Sequence, residues 1–288
     1  MAINLLTNNA DKLEKRLTVG ALVFGKGKCK FDYFEKTDTV KSLSVLTQEP
    51  NIYNPAASGS RFGALKEVED TVHEYKLVEG PSNNMSIDKS YNTAQLKLKR
   101  AADIMKQQID EKYIPYMDIK SLAAKVKGAG VTSVDGTLTA DNVFKAFTKA
   151  RKTFVDKKMR GNGKDLVAWV KSDIYEIITE DDRFKTLEKL GTKATTEGVV
   201  GKYAGWQIIE LPAEYLDKTA LGVSADVNFI CANLNVIIDV PKFKTARILT
   251  EHPDVDGSVI QLHYKFGSFV EETNKNGVYV SYVSSPSI

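Results

Sequence analysis

The spacing of apolar residues changes along the 288-residue chain, and the changes divide it into five segments. Residues 1–38 hold a short amphipathic stretch, from Leu5 to Leu17, then Gly20, Gly25 and Gly27 with Lys26, Lys28 and Lys30 among them. No sustained period runs through this segment, which predicts an arm that stays loose or docks elsewhere. Residues 39–92 read as an extended ribbon. Two β-prone runs, 40–47 and 67–78, flank a tip rich in Pro, Asn, Ser and Gly. In the second run Asp70, Glu74 and Lys76 alternate onto one face, while Glu69 and His73 fall on the other. A strand buried in its own core would keep one face apolar. The ribbon is therefore expected to project from the core, covered by a neighbour or by water.

A helical period follows over 93–127, where Leu98, Ala102, Met105, Ile109 and Tyr116 form one apolar stripe. Pro115 is expected to kink this helix near Tyr113, and Gly128 and Gly130 to end it. Residues 131–239 alternate helix and strand. Thr139 is the predicted cap of a helix bearing Val143, Phe147, Ala150 and Phe154. A buried-type strand over 166–170 runs into a helix over 173–184, with Ser172 as its predicted cap and Asp173 favoured by the helix dipole. The glycine-punctuated stretch 198–205 leads into a strand at 206–211, stopped by Pro212. Two short strands follow at 227–231 and 236–240. Residues 240–288 return to β structure: a strand at 243–250, a tight turn at 252–257, and a return over 258–271. Asn276-Gly277 then gives a hairpin signal before 278–283. The pattern is α+β, with several parts that cannot bury themselves alone.

Composition narrows the function classes. Hydrophobic residues at 42% and charged residues at 27% are ordinary globular values. The net charge of +3, from 40 basic and 37 acidic residues, lacks the basic excess of a dedicated nucleic-acid binder. Cys29 and Cys231 stand far apart without a CxxC, so neither a zinc site nor a disulfide framework is expected. No apolar run approaches the ~20 residues of a membrane helix. Leu5-Leu6 is followed by polar Thr7-Asn8-Asn9, so no signal-peptide core is expected either. These features predict a soluble protein of a reducing cytoplasm.

The candidate chemistry is weak at each point. Residues 20–27 nearly match a phosphate-binding loop, but no Ser or Thr follows Lys26 and the interior is apolar. His73, His252 and His263 show no metal-ligand spacing, and no GxSxG elbow supplies a nucleophile. Glu180-Asp181-Asp182 is followed by Arg183 and Lys185, which predicts a solvated, partly neutralised face rather than an acid–base pair. Between Lys145 and Lys164 lies the largest basic cluster, expected to be the outer face of a helix. Its functional reading is a subunit contact and, less favoured, a DNA-facing patch. The arm lysines 26, 28 and 30 are the better candidates for lining DNA through phosphate contacts. No catalytic residue, metal or cofactor is expected.

Three stretches carry a resemblance. The first is the ribbon exit into the long helix: Ser86-Ile87-Asp88-Lys89, Gln107-Gln108-Ile109-Asp110-Glu111, Pro115 and Asp118. The second is strand 166–170 running straight into a helix with Tyr175, and the third is 198–209, glycines before Trp206 and two isoleucines. In this order, over roughly residues 35–285, the chain resembles the Hong Kong 97 fold of tailed-bacteriophage major capsid proteins. The resemblance implies an N-terminal arm (1–38), an extended loop (39–92), a spine helix (93–130), an axial domain (131–239) and returning strands of a peripheral domain (240–288). It implies self-assembly into pentamers and hexamers of an icosahedral head enclosing double-stranded DNA, with a portal as partner, a virion location and assembly in the host cytoplasm. Only about forty residues precede the ribbon, which implies a separate scaffolding protein or none. No spacing identifies a Lys–Asn crosslink. Expected interface residues are Pro50, Tyr53, Arg61 and Phe62 at the ribbon tip, and His252, Asp254 and Asp256 at the closing turn. An encapsulin-type compartment shell shares the implied fold, and a phage tail-tube protein is the remoter alternative.

Overall fold

The computed structural model describes residues 20–28, 38–56, 58–94, 100–161, 163–186, 199–250 and 252–285. The chain forms two compact units, one of residues 32–77 and one of residues 1–31 with 78–288. Within the smaller, β1 (Thr39–Val45) and β2 (Asp70–Lys76) make an antiparallel ladder in unbroken register, from Thr39 opposite Lys76 to Val45 opposite Asp70. The ribbon expected over 39–92 thus ends earlier. Residues 78–88 form β3 (Val78–Asp88), which pairs with a strand of the larger unit instead.

In the larger unit, α1 (Lys89–Ala94) and α2 (Ala101–Gln108) follow β3, and α2 passes through Ile109–Tyr113 into α3 (Ile114–Lys127). The expected kink takes the form of a π-helical turn over those five residues. Pro115 sits in the first turn of α3, inside a continuous helix where it cannot donate back, and the widened π-helical turn before it makes room for the ring. Leu98 lies outside the described residues. Gly128 caps α3, its N–H donating to the Ala124 carbonyl.

Beyond α3 the chain builds β4 (Val131–Val134), α4 (Val143–Asp156), β5 (Leu166–Lys171) and α5 (Ser172–Thr179). Next come β6 (Lys185–Thr186), β7 (Val199–Tyr203), β8 (Trp206–Leu211), α6 (Lys218–Leu221) and β9 (Val227–Asn233). The last strands are β10 (Ile237–Leu249), β11 (Gly257–Val270) and β12 (Val278–Tyr282). Seven strands form one mixed sheet in the order β4-β12-β9-β5-β8-β7-β6, and β10-β11-β3 form a second, antiparallel sheet. β5 and β9 are buried on both faces, which explains why they read as unbroken apolar runs.

The large sheet has a core on each side. Leu166, Ala168 and Val170 face Phe147 and Phe154 of α4 and Ile174 and Ile178 of α5. Val167 and Trp169 point the other way, to Leu122 and Val126 of α3, Leu221 of α6 and Val23 of the arm. This is the three-layer answer to a sheet with two apolar faces. The small sheet buries Ile87, Ile260 and Leu262 against Tyr113, with Ile104 and Met105 of α2 packed beside them.

Several local expectations need correction. Thr139 does not cap α4 through its side chain; its carbonyl accepts from the amides of Asn142 and Val143, while Asn142 Oδ1 accepts from Thr139 N–H at 2.7 Å. Ser172 is the first residue of α5 and makes no capping bond, and α5 ends at Thr179 rather than 184. The strands placed at 236–240 and 243–250 are one bulged strand, β10, after a 3-10 turn at Leu234–Val236. Pro241 fits inside it because β10 is an edge strand. Asn276-Gly277 makes no hairpin. It ends a 3-10 turn that carries the chain from β11 in one sheet to β12 in the other, beside β4 and β9. Gly277 is needed there for close approach, since a Cβ would lie 3.0 Å from the Val236 methyls. The segment 240–288 is therefore divided between the two sheets.

At the exit of α4 the amide of Met159 donates back to the Phe154 carbonyl at 2.8 Å and that of Lys158 to Val155 at 3.0 Å. This Schellman-type turn puts Lys158 at φ 59, a conformation that glycine adopts without steric cost. Lys158→Gly should raise stability by about 0.5–1 kcal/mol in denaturant unfolding at unchanged slope. A loss of stability would contradict the strain.

Candidate subunit interface

The ladder of β1 and β2 sets the character of the smaller unit. On one face Lys41 lies opposite Glu74, Leu43 opposite Val72 and Val45 opposite Asp70. All six are exposed, and Leu43 and Val72 are each 59% accessible. Beyond the ladder Leu46, Ile52, Phe62, Leu65 and Val68 are also exposed, with Leu65 fully so. The connection is nevertheless ordered by its own bonds. Asn54 N–H donates to the Arg61 carbonyl at 3.1 Å and Gln48 Nε2 to the Glu67 carbonyl at 3.2 Å. The rings of Tyr53 and Phe62 meet edge to face at 5.1 Å. Gly63 is at φ +93, where a side chain would strike Asn51. The four tip residues expected at an interface therefore share one loop, which also carries apolar residues that sequence reasoning did not single out. Ile52 and Leu65 could have been found by asking which apolar residues of a ribbon lack a core.

The closing turn joins β10 to β11. His252 Nδ1 accepts from Asp254 N–H at 3.2 Å, and its imidazole lies 3.8 Å from the Asp254 carboxylate. The Asp256 carbonyl accepts from Lys89 N–H at 2.8 Å, tying the turn to the start of α1. His252, Asp254 and Asp256 are thus together, in a different unit from the tip loop. His73 lies on β2, and His263 on β11 contacts Glu79 at 3.0 Å. Among the described residues no cluster could hold a metal ion. No helix among them is long and apolar enough to cross a membrane.

The near-match to a phosphate loop has a different use. The amides of Leu22, Val23 and Phe24 donate to the Asp118 carboxylate at 2.9, 3.2 and 2.7 Å. Those of Gly25 and Gly27 donate to Asp239 Oδ2 at 3.1 and 3.0 Å. The anion that such amides recognise is supplied by the protein itself. Lys125 lies between α3 and the sheets, 3.4 Å from Asp239 Oδ1 and 3.3 Å from Ser268 Oγ, in contact with Ser121 Oγ and over the Trp169 ring at 5.5 Å. Asp118, Ser121 and Lys125 are fully buried. Burial pushes the Asp118 carboxyl up, against its three amide donors, and pushes the Lys125 ammonium down, against Asp239. With Asp118, Ser121 and Lys125 buried, the network fixes the arm against α3 and β10. Lys28 of the same arm pairs with Asp165, and Cys29 and Lys30 lie outside the described residues.

Two further clusters pin edges of the large sheet. The Asp135 carboxylate accepts from Ser133 at 2.9 Å, Lys149 at 2.7 Å and Ser281 at 2.7 Å, joining β4, α4 and β12. Burial acts to raise its pKa, but these donors outweigh it and hold the carboxyl below its ordinary value. Asp181, expected in a solvated face, binds Arg183 at 2.7 Å and accepts from Tyr203 at 2.6 Å. Arg183 also lies 4.0 Å over the Phe144 ring.

The larger unit is thus a two-sheet α+β body, and the smaller is an exposed ribbon ordered by its own bonds. No family profile and no curated protein matches the chain. Among solved structures, the chain superposes on "Asymmetric unit of bacteriophage PhiM1 mature capsid" with a TM-score of 0.68 at 9% identity, covering 98% of this chain and 92% of that one. For "Capsid structure of the Cyanophage P-SCSP1u" the score is 0.64 at 12% identity, covering 98% and 93%. A "Mycobacterium phage Che8" structure gives 0.63 at 16% identity, covering 98% of both chains.

Lys125→Met, which removes the cation and strands buried Asp239, should cost about 3–5 kcal/mol in denaturant unfolding. A loss below about 1 kcal/mol would show that the network does not hold the fold. Asp135 has a lowered folded-state pKa, so its contribution is present above the unfolded value of about 4 and is lost as pH falls through the folded value. Asp135→Asn should therefore cost about 1.5–3 kcal/mol at neutral pH, with the deficit shrinking below about pH 4. A deficit independent of pH would refute the assignment.

Proposed function

We propose that this chain is the major capsid protein of a tailed phage, a shell-forming structural protein rather than an enzyme. The observation that carries the reading is likeness over nearly the whole of both chains to a mature phage capsid subunit, including the ribbon unit. In this reading the ribbon is the extended loop, α2 and α3 with the turn between them form the spine, and the small sheet belongs to the peripheral domain. The large sheet with α4 and α5 is the axial domain. The partner is first of all another copy of the chain.

The exposed apolar residues of the ribbon support that partner. Leu43, Val72, Ile52 and Leu65 stay exposed in the subunit, and apolar patches of this kind mark protein contact surfaces. A ribbon laid over the next copy makes a head-to-tail contact, which closes into rings of five and six when the rotation permits. Pro50, Tyr53, Arg61 and Phe62 would lie in that contact, and His252, Asp254 and Asp256 at a second. The portal, any scaffolding protein and packaged double-stranded DNA follow as partners in the virion.

Deletion of 50–63 should leave a subunit whose larger unit melts within about 2 °C of the parent, because that unit keeps its own cores. The variant should form no closed shells under electron microscopy where the parent does. Normal shells from the deletion variant would exclude the ribbon as an assembly element, and a parent that stays monomeric under all conditions would exclude the shell reading.

A further inference from the structure

One surface of the larger unit has a composition unlike the ribbon. Lys145, Lys149 and Lys152 lie at spacings of four and three along the exposed side of α4, whose other side packs on the large sheet. Lys157, Lys158, Arg160 and Lys164 continue the series through the helix exit, all exposed. Asp156 is the one acidic residue within 143–164. Among the described residues of that stretch, Val155 is the one exposed large apolar side chain. Two details show the cations are presented rather than consumed. Arg151, which points inward, is the residue used for packing: its guanidinium donates to the Ala204 carbonyl at 3.2 Å, over Gly205. Lys149 is neutralised by Asp135, yet its side chain is still 55% accessible.

We infer that this α4 face is a docking surface for nucleic-acid phosphates, and that in the shell it is the side turned toward the packaged duplex. The inference rests on the shell reading and names the face that reading leaves open. The choice of nucleic acid over an acidic protein surface follows from composition. Protein contact cores are depleted in lysine and built on aromatic and apolar anchors, whereas a phosphate-directed surface is rich in cations and needs no apolar centre. The ribbon fits the first description and α4 the second. Lysines of this kind bind as point charges, so recognition would be independent of base sequence and strongly dependent on salt.

The test uses the full chain as unassembled subunits and a mixed-sequence DNA duplex of about 24 base pairs, titrated by fluorescence anisotropy across a salt series. The variant Lys145→Gln, Lys152→Gln, Lys157→Gln, Lys164→Gln leaves Lys149 and its Asp135 pair intact. It should lower affinity at least about tenfold at low salt and reduce the slope of log K against log salt by about 2–4, near 0.9 for each phosphate that is no longer neutralised. The matched control Lys106→Gln, Lys112→Gln, Lys120→Gln, Lys218→Gln removes equal charge elsewhere and should change affinity less than about threefold. Equal losses in both variants would mean that net charge alone is read, and would overturn the site. Unchanged duplex binding with failed shell assembly in the α4 variant would make the face a protein contact, and would overturn it equally. Shells that form normally from a parent chain that binds no duplex would overturn this inference while leaving the shell reading standing.

Discussion

Five backbone amides of residues 22–27 turn toward two carboxylates, Asp118 on α3 and Asp239 on β10, with the Lys125 ammonium buried beside Asp239. Much of the larger unit is arranged around that knot. It joins the arm to the helix between the two sheets, and through Ser268 it reaches β11. Trp169, at the centre of the large sheet, closes it from the other side by donating to the Leu22 carbonyl at 3.2 Å. Charges taken this far out of water are tolerated only when every partner is present. Removing any one partner would leave an uncompensated charge in the interior, so the knot ties arm, helix and sheets to one another.

The division of labour between buried and exposed groups runs through the whole molecule. Carboxylates that sequence patterning would class as solvated, Asp135 and Asp181 among them, are each engaged by two or more donors and lock sheet edges in place. Apolar residues that a single subunit would be expected to hide are held outward on the ribbon. The body is stiffened by internal polar pins, while the ribbon carries apolar surface that the chain does not bury by itself.

How much of this was legible depended on the range of the interaction. The apolar runs 166–170 and 227–231 and the periodic helix around Val143, Phe147 and Phe154 declared themselves because burial on both faces, or on one helical face, is written locally. The continuous β10 reads as two strands in the sequence because a proline such as Pro241 commonly ends a strand, and its edge position depends on a pairing that is not written locally. Asn276-Gly277 reads as a hairpin, yet the glycine sits close against Val236, distant in sequence, where a Cβ would lie inside van der Waals contact. Pro50, Tyr53, Arg61 and Phe62 were gathered correctly into one loop because they are neighbours in sequence. The Asp118–Lys125–Asp239 knot was out of reach: Asp118 and Lys125 look like ordinary polar positions of a helix until Asp239 arrives from another strand. The glycine-rich arm was the one visible trace, and its amides do cradle an anion.

The same knot has a consequence for the order in which the chain acquires its form. The arm bonds Asp118 across 94 to 96 residues, and Asp239 across 212 to 214. A ribosome adding roughly 5–20 residues each second releases the arm many seconds before its second carboxylate exists. Contacts between such distant positions must also overcome the closure entropy of long loops, so they form late. Secured in part by the last third of the sequence, this early segment acts as a seal of completion: a truncated product lacking β10 keeps the three amide bonds to Asp118 but has no Asp239 to hold Gly25 and Gly27.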